Sequence, residues 1–408
     1  MQDIDLMQLA LQLPKEWYVE ECDFDEEKGR LNIKLNFRRG EMFCCTDCHG
    51  QKYKIHDTVD KTWRHMNFFQ HEAYITARVP RTKCDRHGVK MIDIPWARKG
   101  SGFTLLFEAL LMTLSKSMPV DKVARFVGEH DTKIWRVLKH YVGEAREKLD
   151  FSALKQIGID ETSSKKGHNY ITVFVDMETS TVAYATEGKN AETINSFVTD
   201  LQAHGGAPEN ISEVSIDMSP AFISGAEDFL PDADITFDKF HVMKKVNEAV
   251  SDVRREEAKH QDILTKTRYL WLKNRDKLTK KQEATLNDIL ALRNMNLKTV
   301  RAYKIKLAFQ ELFKQPADVA EEYLKKWYFW ATHSRIAPII EAAKTVKSHW
   351  DGILRWFDSG LTNGVVEGIN GEIQEIKARA RGFRNINNFI TMIYLKLGGI
   401  MIPEIHLK

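Results

Sequence analysis

Gln156-Ile157-Gly158-Ile159-Asp160-Glu161 is an apolar run that ends in carboxylates, and the segments after it decide the fold. A second strand follows at Asn169–Asp176, with apolar Ile171, Val173, Phe174 and Val175. A third lies at Thr181–Thr186, and the short turn Met177-Glu178-Thr179-Ser180 makes these two a hairpin. Helix Ala191–His204 stops at Gly205-Gly206. Strand Glu213–Asp217, a short helix after Pro220 and a strand at Ile235–Phe237 complete the series.

Three strands, a helix, then alternating strand and helix is the order of an α/β domain with a ribonuclease-H-like mixed sheet. In that order Asp160 ends the first strand and Asp217 the fourth. These strands lie side by side, so two carboxylates 57 positions apart would meet. A third candidate is Glu367, in Asn363-Gly364-Val365-Val366-Glu367-Gly368, at the start of a helix running to about Ala378 and after the turn Gly360–Gly364. Asn370, Gly371 and Gln374 share its face. Spacing alone leaves Glu372 and Glu375 open as the third acid, and a helix-start glutamate is also favoured by the macrodipole. Three carboxylates gathered from distant segments suit a two-metal site for phosphodiester chemistry.

The charge along the chain marks a boundary. Residues 190–238 hold ten acidic side chains and no Lys or Arg, whereas 239–309 hold eighteen basic against eight acidic. The chain as a whole is close to neutral, at +3. From Lys239 to about Phe357 the pattern is helical and basic, with Trp271, Trp327, Trp330, Trp350 and Trp356. Such a stretch between a fifth strand and a returning acidic helix is a large all-α insertion. Its basic surface suits DNA phosphates, and its tryptophans suit a core. No run is apolar and long enough to span a bilayer. The acidic start Met1–Asp5 is unlike a signal peptide, so a cytoplasmic protein of a cell without a nucleus is expected.

Four of the five cysteines fall between Cys44 and Cys84, which suits a metal site better than disulfides. Cys45-x-x-Cys48 and Cys84-x-x-His87 are two knuckles fed by strands such as Arg30–Phe37 and His71–Val79, a zinc ribbon. Cys44 is the alternative to Cys45, and Cys45-x-x-Cys48-His49 also fits a c-type haem attachment; the second knuckle favours zinc. His56 and His65 are read as ordinary polar residues. Three helices follow: Phe103–Lys116, Val120–Val127 after Pro119, and Lys133–Lys148 behind the cap Asp131-Thr132. A short helix, a tight turn and a longer basic helix make a helix-turn-helix, with Lys133, Arg136 and Lys139 on one exposed side toward DNA. A plain helical bundle fits the pattern equally well. The expected organisation is 1–99 with the ribbon, 100–150 helix-turn-helix, 151–238 catalytic core, 239–358 insertion and 359–408 the core's second part.

Gly158–Glu161, Ile216–Phe222, Asp238-Lys239-Phe240-His241-Val242 and Thr362–Asn370 together resemble the DDE transposases of bacterial insertion sequences, and more narrowly the ISL-three group. The resemblance spans nearly the whole chain, through the basic cluster Lys377, Arg379, Arg381 and Arg384. It implies that Asp160, Asp217 and Glu367 form the catalytic triad, in preference to Glu372 and Glu375, and that His241 neighbours the site. The family's second knuckle usually reads C-x-x-C, and here His87 replaces the last cysteine. The implied reaction is DNA strand transfer with two Mg²⁺ or Mn²⁺ ions on the triad, Asp160 shared between them. Cleavage at the element's end would leave a 3′-hydroxyl that attacks target DNA. Partners would be double-stranded DNA and a second copy of the chain, and Cys45, Cys48, Cys84 and His87 would hold one structural Zn²⁺. The rivals are a nuclease or resolvase that cuts without joining, and a DNA-binding protein without catalysis.

Overall fold

The computed structural model describes residues 3–48, 51–165, 167, 169–292, 296–360 and 364–402. The expected turn at 360–364 therefore lies mostly outside the described residues, as does His49. The chain divides into two compact units, 1–143 with 401–408, and 144–400.

The first unit runs α1 (Asp3–Ala10), β1 (Trp17–Asp25), β2 (Arg30–Phe37), β3 (Phe43–Cys44), β4 (Lys52–Tyr53), β5 (Ile55–Phe68), β6 (His71–Cys84) and β7 (Gly88–Met91). Its helices are α2 (Leu105–Ser117), α3 (Val120–Val127) and α4 (Asp131–Arg146), which crosses the boundary between the units. The main sheet has the order β1-β2-β6-β5, with β7 on β6. Trp17, Ile33, Leu35, Trp63, Ile75 and Val79 form its core. The sequence pattern did not reveal β5. Its residues, Ile55-His56-Asp57-Thr58-Val59-Asp60, are half exposed on both faces, so no apolar alternation forms.

The three helices fall close to their expected spans. Thr104 caps α2, accepting from the Phe107 amide, and Gly128 ends α3 in the left-handed region at φ 73°. Glu108, which interrupts an apolar run, is fully buried. It accepts from Arg98 Nε at 2.9 Å, Ser101 Oγ at 2.6 Å and Tyr141 Oη at 2.8 Å, so its charge is satisfied.

The second unit opens with β8 (Gln156–Lys165), β9 (Asn169–Asp176), β10 (Thr181–Glu187), α5 (Ala191–Ala203), β11 (Glu213–Ile216), α6 (Pro220–Phe229) and β12 (Asp234–Phe237). The sheet order is β10-β9-β8-β11-β12. The β8-β9-β10 meander is antiparallel, and β11 pairs parallel with both β8 and β12. This is a mixed α/β sheet. Ile157, Ile159, Val214 and Ile216 point to one face and meet Phe174 and Phe197, which stack at 4.5 Å. By the two-residue period of a strand, Gly158, Asp160 and Ser215 face the other way.

One sequence expectation needs correction. Asp160 does not end its strand: β8 continues to Lys165, paired with Asn169 of β9. What ends near Asp160 is the parallel pairing with β11, whose last register pair is Ser215 with Gly158. Polar residues 161–165 remain in strand because the β9 hairpin partner supplies their hydrogen bonds.

Seven helices follow: α7 (Lys239–Glu257), α8 (Arg268–Leu272), α9 (Lys280–Ala291), α10 (Lys298–Leu312), α11 (Ala317–Thr332), α12 (Ala337–Ser348) and α13 (Trp350–Ser359). Trp271, Trp327 and Trp350 are buried, while Trp330 stands 45% exposed. α14 (Gly364–Arg379) and α15 (Ile386–Leu397) then return to the sheet. Tyr394 Oη of α15 accepts from the Ala185 amide at 2.8 Å, and Val366 of α14 packs over Gly158. No described helix is long and apolar enough to cross a membrane.

Candidate functional site

Three aspartates stand at one level of the sheet. Ser215 pairs with Gly158 and Ile216 with Phe237, so the register carries Asp217 to the level of Asp160 and Asp238 to that of Asp217. Neighbouring strands lie about 4.8 Å apart. Asp160, Asp217 and Asp238 thus form a row at the carboxyl ends of the parallel pairing, where sheets of this kind bind ligands.

Asp160 is the most constrained of the three. Its Oδ1 accepts from the Glu161 amide at 2.7 Å, and its Oδ2 accepts from Asn370 Nδ2 of α14 at 2.6 Å. Burial pushes its carboxyl up to about 6, with Asp217 and Asp238 adding to the rise and His241 opposing it. Burial also raises Glu161. Asp217 accepts from the Ser219 amide at 2.9 Å.

His241 sits one turn into α7, with Nδ1 2.8 Å from Asp238 Oδ2. The contact is an ion pair, and neither atom has a hydrogen-bond partner among the described residues. The Asp238 carboxylate holds the imidazole above its ordinary range, and Asp160 and Asp217 add to this. The contact places an imidazole beside the row of three acids. Asp238 also caps α7, accepting from the Phe240 amide at 3.0 Å.

Glu367 lies in the first turn of α14 and is exposed. It lines a cleft of about 1080 Å³ together with Ser215, Asp238, Lys239 and Phe240. Residues i and i+3 of a helix stand about 5–6 Å apart at Cβ, and Asn370, three residues on, touches Asp160. Glu367 is therefore within about one helical turn of the aspartate row. Among the described residues neither the three aspartates by themselves nor the aspartates with Glu367 form a cluster of metal-ligand spacing. Glu372 and Glu375 are exposed one and two turns further along the helix, and Glu375 pairs with Arg379 at 2.7 Å.

Sequence reasoning missed two of these residues as site members. Asp238 has the same signal as Asp217, an apolar strand running into an aspartate. Asn370 was placed on the face of Glu367 but given no task. Lys377, expected toward DNA, directs its Nζ to Ser163 O at 2.6 Å and Ser163 Oγ at 3.0 Å. Arg379 pairs with Glu375, whereas Arg381 and Arg384 are exposed.

In the first unit, Cys45, Cys48, Cys84 and His87 place one ligand atom each within 4.8 Å of one another. Cys45 Sγ and Cys84 Sγ lie 3.6 and 3.7 Å from His87 Nδ1, and Cys48 Sγ lies 3.8 Å from Cys84 Sγ. Zinc bonds of about 2.3 Å to sulfur and 2.0–2.1 Å to nitrogen give tetrahedral edges of about this length. The cluster suits a structural zinc, and Cys44 is outside it. On α4, Lys133, Arg136 and Lys139 are exposed, with Lys133 Nζ 2.8 Å from Glu129. His65 is bonded to Thr104 Oγ1 at 2.9 Å and is outside the Cys45, Cys48, Cys84 and His87 cluster.

Comparison with known proteins agrees with this layout. A family model described as a transposase, for the DDE domain of the ISL3 group, matches residues 157–393. A second, the helix-turn-helix domain of transposase family ISL3, matches 92–142. A third, the zinc-finger of transposase IS204/IS1001/IS1096/IS1165, matches 41–87. The chain is similar to the transposase for insertion sequence element IS1001 of Bordetella parapertussis, at 30% identity over 92% of this chain and 94% of that one. It is also similar to the transposase for insertion sequence element IS1557 of Mycobacterium tuberculosis, at 26% identity over 98% and 96%. A solved simian T-cell lymphotropic virus intasome in complex with PP2A regulatory subunit B56 gamma aligns at 15% identity over 46% of this chain and 69% of that one, with a TM-score of 0.17.

Proposed function

The chain belongs to the ISL3 family of DDE transposases, and on that premise we propose that it cuts the ends of an insertion sequence and joins the freed 3′-hydroxyl to target DNA at the aspartate row. Asp160, Asp217 and Glu367 would hold two Mg²⁺ or Mn²⁺ ions, consistent with an all-oxygen donor set. Such ions, when bound, supply Lewis-acid stabilisation of an in-line phosphodiester displacement. The chain's own work is placement. Asp238 is buried and Asp160 and Asp217 are half-buried, so the row is only partly open to water. The Asp238–His241 pair tempers its charge, and the α14 contacts bring the glutamate to it. The sheet order supports a ribonuclease-H-like reading of the core, with α7–α13 inserted between its two parts.

The other regions bring DNA to that site. Cys45, Cys48, Cys84 and His87 hold zinc and fix the ribbon. In the helix-turn-helix, α4 enters the major groove with Lys133, Arg136 and Lys139 near the backbone. Arg381 and Arg384 add exposed charge beside the catalytic helix. Two DNA ends must be held together during joining, so a homodimer on DNA is the expected assembly, working in the bacterial cytoplasm.

One observation carries this reading: the bond from Asn370 to Asp160 ties the helix of Glu367 to the strand of the first aspartate across 210 positions of sequence. The test is incubation with Mg²⁺ and labelled element-end DNA. Native protein should give nicked ends, and pre-cut ends should be joined to target. Asp160→Asn should abolish both while retaining end binding. Cleavage by Asp160→Asn at the native rate would remove the residue from its role, and cutting without joining of pre-cut ends would make the protein a nuclease.

A further inference from the structure

The helix that carries Glu367 is laid along β8 by four side chains. Val366 covers Gly158; Asn370 reaches Asp160; Gln374 Nε2 bonds Thr162 Oγ1; Lys377 Nζ bonds Ser163. Positions 366, 370, 374 and 377 form one helix face, and 158, 160 and 162 one strand face. Three of these contacts join helix to strand and involve no acid of the site. The Asn370 contact differs, since it ends on the carboxylate at the centre of the aspartate row.

Its chemistry is one-directional. An ionised carboxylate only accepts, so Nδ2 must face Asp160 Oδ2, and the carbonyl Oδ1 must point the other way. That Oδ1 is buried and has no hydrogen-bond partner among the described residues. The Glu161 amide already fixes the second oxygen of Asp160. With one donor on each oxygen, the plane of the Asp160 carboxylate is set before any ligand arrives. Each oxygen keeps a second lone pair.

We propose that Asn370 is a positioning residue of the divalent-metal centre. Its amide nitrogen holds Asp160 in the orientation that receives an ion, and its unpartnered carbonyl oxygen accepts from a water in that ion's shell. This rests on Asp160 being a metal ligand. Divalent ions of this class retain several waters, and a buried acceptor without a donor requires one from outside the chain. A contact needed only to lock helix to strand would leave no such orphan; Gln374 does that job one turn on.

The test is Mn²⁺ binding to the full-length, zinc-loaded, DNA-free protein, read from the loss of the free Mn²⁺ paramagnetic resonance signal. Partners that orient a ligand typically change metal affinity by about 10–100-fold. Asn370→Ala and Asn370→Leu should each weaken binding by at least about tenfold, with the melting temperature close to native. Leu keeps the volume and removes only the amide, so it serves if the Ala variant folds poorly. Gln374→Ala should bind within about twofold of native. Asn370 variants that bind like native, while Asp160→Asn does not bind, would overturn the proposal. So would equal weakening by Asn370→Leu and Gln374→Ala, which would make the contact structural. If Asp160→Asn binds as native does, the metal reading of the row fails first.

Discussion

Gly158→Ala should cripple the enzyme through a single methyl group two residues from Asp160. A Cβ at Gly158 would overlap Val366 Cγ2 and stand 2.7 Å from Met177 Sδ. Carbon contacts settle near 3.5–4.0 Å, so something must move by about 1 Å. Met177 is flexible and can swing away. Val366 is β-branched, stiff and buried on α14, so relief requires the helix itself to lift. The adjacent residue on that helix is Glu367. Two effects compete in stability. Replacing glycine stabilises by about 0.4–1 kcal/mol where the backbone permits, and overpacking costs about 1–3 kcal/mol. Overpacking wins by roughly 1 kcal/mol, a modest fall in melting temperature. Activity should fall far more, since a misplacement of 1 Å can cost on the order of 100-fold. The assay is single-turnover end cleavage beside thermal unfolding, on Gly158→Ala, Val366→Ala and the double variant. Removing the Val366 methyls restores room, so the double variant should recover most of the cleavage that Gly158→Ala loses. A Gly158→Ala protein cutting at the native rate, or a double variant no better than the single, would refute the claimed approach of α14 to β8.

Two further predictions concern the first unit. Burial, with Arg64 nearby, holds the His65 imidazole down at about 4. The unfolded chain therefore takes up a proton that the folded chain refuses between about pH 6.5 and 4, and stability falls as pH drops through that window, by up to about 3 kcal/mol. His65→Asn should flatten the fall in melting temperature from pH 7 to 4.5 relative to native, and an identical pH profile would exclude His65 as its source. Purified protein should release one zinc per chain to a chelator dye with loss of end-DNA binding; His87→Cys should keep the metal, His87→Ala should not, and full zinc in the Ala variant would remove His87 from the ligand set.

Much of this architecture was legible because it is written in local chemistry. The strands Asn169–Asp176 and Thr181–Glu187 announce themselves by apolar runs around a turn. Helix Val120–Val127 is bounded by Pro119 and Gly128, each acting through its own backbone restriction. The candidate zinc ligands stand out as two knuckles, each with a two-residue gap, Cys45-x-x-Cys48 and Cys84-x-x-His87. Less legible features depend on partners far away in sequence. β8 reads as ending at Asp160 because apolar character ends there, yet strand continues while β9 lies alongside. The first part of β5, residues 55–62, carries no alternation because neither of its faces is fully covered there. The basic residues of the cluster Lys377–Arg384 look alike in sequence, and only the fold separates Lys377, half-buried and bonded to Ser163, from Arg381 in solvent.

The candidate site shows the same division and the reason for it. Its acids each follow an apolar run or open a helix, and that is a local signal. Their grouping is not local, since the parallel register of β8, β11 and β12 sets the row and one helix face sets the distance of the glutamate. Asp238 completes the row and could have been found by treating every strand-ending aspartate alike. Asn370 could not have been found that way, because a half-buried asparagine on an acidic helix has no pattern of its own. Its meaning comes from what lies opposite: a carboxylate with burial raising its pKa, fixed at both oxygens before any ion is present. In the proposed metal site, neutral amides are the donors that orient its acids without competing for the charge of a divalent ion.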